Sequence, residues 1–270
     1  MFPEIIILGR PIGTYTLLAL IGGLIAAFSF VKVAVRRGQR DYQAIVFLLW
    51  IVVGVLVGGH FLYGLVNIRF LPLWLKYEGF FQAILNLFGG SVFYGGLIGG
   101  LVAGLISIKV MKVDFLTYSA CISPIIPLFH SVARIGCFMG GCCFGVESEF
   151  GFTAHNNPYV PYVNEISRFP VQLLESGLNL ILALVLFYLL KKSDQSEKLK
   201  RALLRIYLIS YACIRFFTEF FRGDVYRGHV GALSTSQFIS VLILIACTAS
   251  FIIPWLIRKF KKKNIEKGSM

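Results

Sequence analysis

Charged side chains are scarce in this chain. Only 14% of its 270 residues are Asp, Glu, Lys or Arg, and 13 in all are acidic, against 57% hydrophobic and a mean hydropathy of +0.78. So little charge cannot cover the surface of a soluble domain, and so much apolar surface cannot be hidden in one soluble core of this length. The amino end, Met1-Phe2-Pro3-Glu4, also lacks the basic start and small-residue cleavage site of a removable signal peptide, so the first apolar run is expected to stay. No internal repeat and no break in composition divides the chain, which reads as a single helical domain over residues 1–270. What remains is a polytopic, all-α membrane protein. The net charge of +13 would suggest nucleic acid in a soluble domain. Here the Lys and Arg stand mostly in short loops between apolar runs, where they are topology signals, and no nucleic acid partner is expected.

About seven runs approach the length needed to cross some 30 Å of hydrocarbon at about 1.5 Å per residue. They cover residues 12–31, 43–63, 89–108, 115–138, 171–190, 203–221 and 237–257. One alternating set of loops, with the carboxyl tail, carries 18 Lys and Arg, and the opposite set carries 6. The basic side is expected to be cytoplasmic, which puts the N-terminus outside and the C-terminus inside, as seven crossings require. The connection over 141–170, rich in Gly, Asn, Pro and Tyr, reads as a structured outer loop over a site.

Polar residues inside apolar runs mark that site. An ionisable side chain at membrane depth is costly unless it faces the bundle interior or a wet cavity. His130, Arg134 and Cys137 share one face of a helix over 125–138, at spacings i, i+4 and i+7. Gln172 and Glu175 open the fifth run just after Pro170, with Arg168 before it. Arg215, Glu219 and Arg222 form one stripe at the end of the sixth run, bordered by phenylalanines. The planar guanidinium fork suits phosphate, and Arg134, Arg168, Arg215 and Arg222 outnumber the carboxylates near them, so an anionic phosphate site is favoured over a structural ion pair. Glu175 and Glu219 orient the arginines or take a proton. His130 is the only histidine in the cluster that could act as base, although a lone histidine on an apolar helix is more often a packing residue.

Two other groups invite chemistry. Gly96, Gly100 and Gly104 repeat every four residues, a seam that lets membrane helices approach closely; the same bare backbone, with Gly95, leaves room for a headgroup, and Tyr94 at its end could donate a hydrogen bond there. Cys121, Cys213 and Cys247 stand singly in apolar runs as small hydrophobes. Cys137, Cys142 and Cys143 cluster at a helix end, but C-x4-C-C is not a usual zinc spacing. They read as packing thiols ahead of an outer disulfide or a metal site, and neither metal nor cofactor is expected.

These motifs resemble the phosphatidylglycerol:prolipoprotein diacylglyceryl transferases of bacterial membranes. The likeness covers nearly the whole chain. It is carried by Arg134-Ile-Gly136-x-Phe138 followed by Gly145, Arg168-x-Pro170-x-Gln172-Leu173-x-Glu175, Tyr94-Gly95-Gly96-Leu97-Ile98-Gly99 and Arg215-x-x-x-Glu219-Phe220-x-Arg222. The resemblance implies transfer of the diacylglyceryl group of phosphatidylglycerol, or a related anionic phospholipid, to the lipobox cysteine at a preprolipoprotein signal peptide, by a monomer in the bacterial cytoplasmic (inner) membrane. With the polar cluster read above, the catalytic candidates are Arg134, Glu219, Glu175, Tyr94 and His130. The candidates for holding substrate are Arg134, Arg168, Gln172, Arg215, Arg222, Gly95, Gly96, Cys137 and Gly145. Three departures stand out. Tyr94 replaces the family's histidine, Cys137 and Cys142 replace its asparagine and acid, and Ala19 aligns loosely with its first-helix tyrosine. A different acceptor, a lipid-binding protein without chemistry, or a thiol or metal protein are the competing readings.

Overall fold

The computed structural model describes residues 2–7, 9–224 and 228–250. It is predominantly helical, and five apolar segments are long enough to cross a membrane: Thr14–Arg36, Asp41–Tyr77, Tyr94–Met111, Phe115–Gly140 and Val171–Gln195. Their outward faces are strongly apolar, as Leu20, Leu24, Ile98, Leu101, Ile181 and Leu184, all about 60% exposed, illustrate. Such faces need lipid, not water. The expected sixth run forms helix α9 (Glu197–Thr218), whose first half carries Lys198, Lys200, Arg201 and Arg205. The seventh begins as α10 (Thr235–Ser250); its last residues, 251–257, and the basic tail lie outside the described residues.

The contacts divide the chain into two compact units, residues 27–118 and residues 1–26 with 119–270. Within the first, α2 (Asp41–Asn67) packs on α5 (Phe93–Met111) along glycines. A Cβ on Gly58 would lie 2.3 Å from the Gly95 carbonyl oxygen, and one on Gly99 would lie 2.1 Å from that of Gly54. The backbones therefore touch along Gly95 and Gly99, one residue off the expected row. Gly96, Gly100 and Gly104 meet the side chains of Val55 and Ile51 instead. Phe30, Phe47 and Tyr118 interlock below, with ring centroids 4.9–5.9 Å apart. Residues 68–88, expected as a loop, coil into a 3-10 turn, α3 (Leu71–Tyr77) and α4 (Phe80–Phe88), with Gly79 at φ +81° making the turn between them.

The second unit opens with a hairpin, β1 (Glu4–Ile7) against β2 (Arg10–Gly13), leading into α1 (Thr14–Arg36). The expected fourth run is broken by Ser123 and Pro124 into α6 (Phe115–Ile122) and α7 (Ile125–Gly140). α7 ends in a left-handed cap at Gly141, where Cys142 N–H returns to the Cys137 carbonyl at 3.1 Å. The connection over 141–170 follows, with β3 (Glu147–Thr153) paired to β4 (Ser167–Arg168). It leads into α8 (Val171–Lys192), which starts right after Pro170 and buries one stripe from Gln172, Glu175 and Asn179 at its head to Leu186 and Leu190 at its foot.

Candidate active site

The head of α8 holds the centre of the site. Glu175 is 2% exposed. Its carboxylate accepts from Arg134 Nε of α7 at 2.5 Å, Arg215 Nη1 of α9 at 2.7 Å, Thr218 Oγ1 at 3.1 Å and Arg222 Nη1 at 3.4 Å. Three guanidiniums on one buried carboxylate are tolerable only because further acids share them. Arg215 Nη2 pairs with Glu219 at 2.6 Å and also donates to Ser236 Oγ of α10 at 2.9 Å. Arg222 grips Asp224 through Nε and Nη2, at 3.1 and 2.9 Å. Burial holds the Asp224 carboxyl above its ordinary range against the pull of Arg222.

The expected excess of arginine over carboxylate is therefore corrected locally. Arg134, Arg215 and Arg222 face Glu175, Glu219 and Asp224, one acid per base. What the pairing leaves over is hydrogen-bond donors, not formal charge. Each guanidinium has five N–H groups, and the carboxylates engage only part of them.

Arg168 takes no part in this network among the interactions described. It lies over the Phe144 ring at 4.5 Å, donates to the Gly145 carbonyl at 3.3 Å and approaches Glu147 at 3.5 Å, so it clamps the loop after α7. Gln172 does similar work, its Nε2 holding the Cys142 carbonyl at 2.9 Å. Gly145 runs between two neighbouring chains: a Cβ there would lie 2.2 Å from the Phe169 oxygen and 2.9 Å from that of Phe221. The bridge from Gly145 to Arg222, with Val146 N–H to Phe221 O at 3.0 Å, fixes Arg222 above Glu175.

Arg134 Nη1 points to Cys137 Sγ at 3.8 Å, and the three sulfurs of Cys137, Cys142 and Cys143 lie within 4.8 Å of one another. Sulfur hydrogen bonds from Cys137 and Cys142, then Arg222 and Arg134, hold the Cys143 thiol below its ordinary range against burial. His130 is not part of that convergent group. Its ring lies tilted against those of Tyr211 and Phe129, with centroids 5.3 and 6.0 Å away.

Tyr94, Gly95 and Gly96 belong to the other unit. Tyr94 is 38% exposed at the head of α5, and α2 fills the space against both glycines. In that unit His60 Nδ1 bridges the carbonyls of Phe88 and Gly90, each at 2.8 Å, and so shapes the turn before Tyr94. Sequence reasoning also missed Tyr15. One turn before Ala19, it is the first-helix tyrosine that lies on α7, its backbone 3.3 Å from where a Gly136 side chain would start. Thr218, Ser236 and Asp224 went unassigned as well, because short polar side chains near helix ends gain meaning only from what docks on them.

The chain matches the family model described as prolipoprotein diacylglyceryl transferase over residues 3–253. It is 33% identical over 242 residues to a phosphatidylglycerol–prolipoprotein diacylglyceryl transferase of Clostridium tetani, covering 88% of this chain and 91% of the relative. It is 32% identical over 243 residues to transferase 2 of that name from Clostridium perfringens, covering 88% and 90%. Against the Finegoldia magna protein of the same name the identity is 26% over 241 residues, covering 89% and 90%.

Proposed function

The chain belongs to the prolipoprotein diacylglyceryl transferase family, and from that premise we propose that its arginine cluster holds the phosphate of phosphatidylglycerol while the diacylglyceryl group passes to a preprolipoprotein cysteine. It is a phosphatidylglycerol-dependent transferase. The observation that carries the site assignment is the convergence of Arg134, Arg215 and Arg222 on the buried Glu175.

The reaction needs a thiolate nucleophile, a held leaving group and sideways access for two acyl chains. Sulfur attacks the glyceryl methylene carbon, the carbon–oxygen bond to phosphate breaks, and glycerol phosphate departs with the electron pair. Charge grows on the leaving phosphate, and guanidinium donors fixed in a water-poor site stabilise it by a few kcal/mol. Glu175 aims Arg134 and Arg222, and Glu219 aims Arg215. Arg168, Gln172 and Gly145 hold the loop that carries Cys142 and Cys143 and braces Arg222. Tyr94, in the other unit, offers a phenol hydroxyl as a hydrogen-bond donor. The rings flanking His130 support a packing role for it. The chain crosses the bacterial inner membrane seven times as a monomer, N-terminus outside, with the cluster near the outer face; the distribution of Lys and Arg supports that orientation.

The test is release of glycerol phosphate from headgroup-labelled phosphatidylglycerol. Release should require a lipobox peptide and should fall steeply in Arg134→Lys, which keeps charge but loses the fork. Equal release by that variant would remove Arg134 from the phosphate site.

A further inference from the structure

Cys137, Cys142 and Cys143 are brought together by two backbone devices that their spacing does not reveal. The first is the cap of α7, in which Gly141 at φ +72° turns the chain so that Cys142 N–H meets the Cys137 carbonyl at 3.1 Å. That brings the second sulfur over the first, an ordinary contact at helix ends. The third sulfur has no such ordinary cause. Side chains of consecutive residues in extended chain point to opposite sides. Cys143 instead takes φ +57°, a left-handed conformation that side-chain-bearing residues rarely adopt. The result is three thiols within 4.8 Å of one another, one buried and two half-buried. The loop is held on both flanks, by Gln172 on the Cys142 carbonyl and by the packing of Gly145 against Phe169 and Phe221. Arg134 Nη1 lies 3.8 Å from Cys137 Sγ, so the cluster adjoins the phosphate-binding arginines.

We propose that Cys137, Cys142 and Cys143 are the three protein ligands of one thiophilic metal ion of the Zn2+ kind, whose fourth coordination position receives the thiol of the acceptor cysteine. The role given to the fourth position rests on the transferase reading above. Three protein ligands with one open position is the arrangement of catalytic zinc, and zinc–sulfur bonds of about 2.3 Å set sulfurs roughly 3.8 Å apart, so the cluster has to close by about 1 Å or less. Three thiolates on a divalent cation carry one net negative charge, which the guanidinium of Arg134 offsets. A thiol entering the open position gives its proton to solvent and stays as a metal-bound thiolate. Its sulfur then attacks the methylene carbon of the diacylglyceryl group as the carbon–oxygen bond breaks toward phosphate. The product thioether is neutral and a weaker ligand, so it leaves. This supplies acceptor activation beside the arginine cluster.

The experiment uses the full chain, purified in detergent without chelator. Elemental analysis should find one zinc per chain, and replacement by Co2+ should give sulfur-to-cobalt charge-transfer absorption. Both should be lost in Cys143→Ser and kept in Cys213→Ser, whose cysteine stands alone in α9. A lipobox peptide should change the cobalt spectrum, and the same peptide with serine in place of cysteine should not. Stripping the wild-type protein with a chelator should abolish transfer, and Zn2+ should restore it without any mutation. The proposal is overturned if the wild type holds no more zinc than Cys143→Ser and transfers at full rate after chelation, or if two of the three thiols are found joined in a disulfide; either leaves the transferase reading standing. Zinc bound and peptide thiol coordinated, with no diacylglyceryl adduct from phosphatidylglycerol, would overturn the transferase reading and with it the role of the fourth position.

Discussion

Replacing Glu175 by Gln changes almost no volume and removes one charge. In the structure that charge faces Arg134, Arg215 and Arg222 at 2.5, 2.7 and 3.4 Å from a position 2% exposed. The variant leaves three guanidiniums with two carboxylates, and the new amide turns N–H groups toward donors. Breaking a buried ion pair from one side costs about 3–5 kcal/mol, because the surviving charge stays desolvated. For a chain of this size that corresponds to a fall in melting temperature on the order of 10 °C. The assay is thermal unfolding of purified protein in nanodiscs, with Glu175→Gln, Arg222→Gln and the double variant compared. The double variant restores neutrality, so it should melt above Glu175→Gln alone, a coupling that separates electrostatics from packing. Phosphatidylglycerol should raise the melting point of Glu175→Gln more than phosphatidylcholine does, because the lipid phosphate replaces the lost anion. A Glu175→Gln protein that melts with the wild type, in either lipid, would show that the carboxylate does not hold the three arginines.

Tyr94→Phe should lose one hydrogen bond, about 1 kcal/mol or several-fold in turnover, whereas Glu219→Gln should lose far more; the reverse order in turnover against one acceptor peptide would exchange the two roles. Gly99→Leu should prevent α2 and α5 from closing, since a Cβ there already meets the Gly54 oxygen at 2.1 Å; folded yield and melting temperature equal to the wild type would refute that seam. Gly145→Ala should displace the loop that holds Arg222 and lower activity more than stability; unchanged transfer would free Arg222 from that support. A cysteine introduced at Lys198 should resist a membrane-impermeant reagent applied to intact cells, and labelling from outside would invert the orientation.

The head of the polar stripe of α8 was legible because Gln172 and Glu175 share a helical face in an apolar run, and a buried carboxylate needs cations; Asn179, one turn further on, was not read. The arginines were legible for the same reason. Their partners were less so: Asp224, Thr218 and Ser236 come from a loop and two helix ends, and only docking brings them to the cluster. The glycine seam was found one row off, because α5 carries glycine on two adjacent rows and periodicity alone cannot say which meets α2. Tyr15 was missed since nothing before α1 announces that its first turn lies on Gly136 and Gly140. The cysteines were legible as a cluster at a helix end, and Gly140-Gly141 did signal the end of α7, but no spacing announces the left-handed turn at Cys143 that brings the third sulfur in.

The most direct test of the phosphate site and of the reaction together is mass spectrometry of a lipobox peptide incubated with the purified protein and phosphatidylglycerol. The account predicts a diacylglyceryl thioether on the cysteine in the wild-type reaction, and little or none with Arg134→Lys or with phosphatidylcholine as the lipid. An unmodified peptide in the wild-type reaction, or equal adduct from the Arg134→Lys protein, would contradict it.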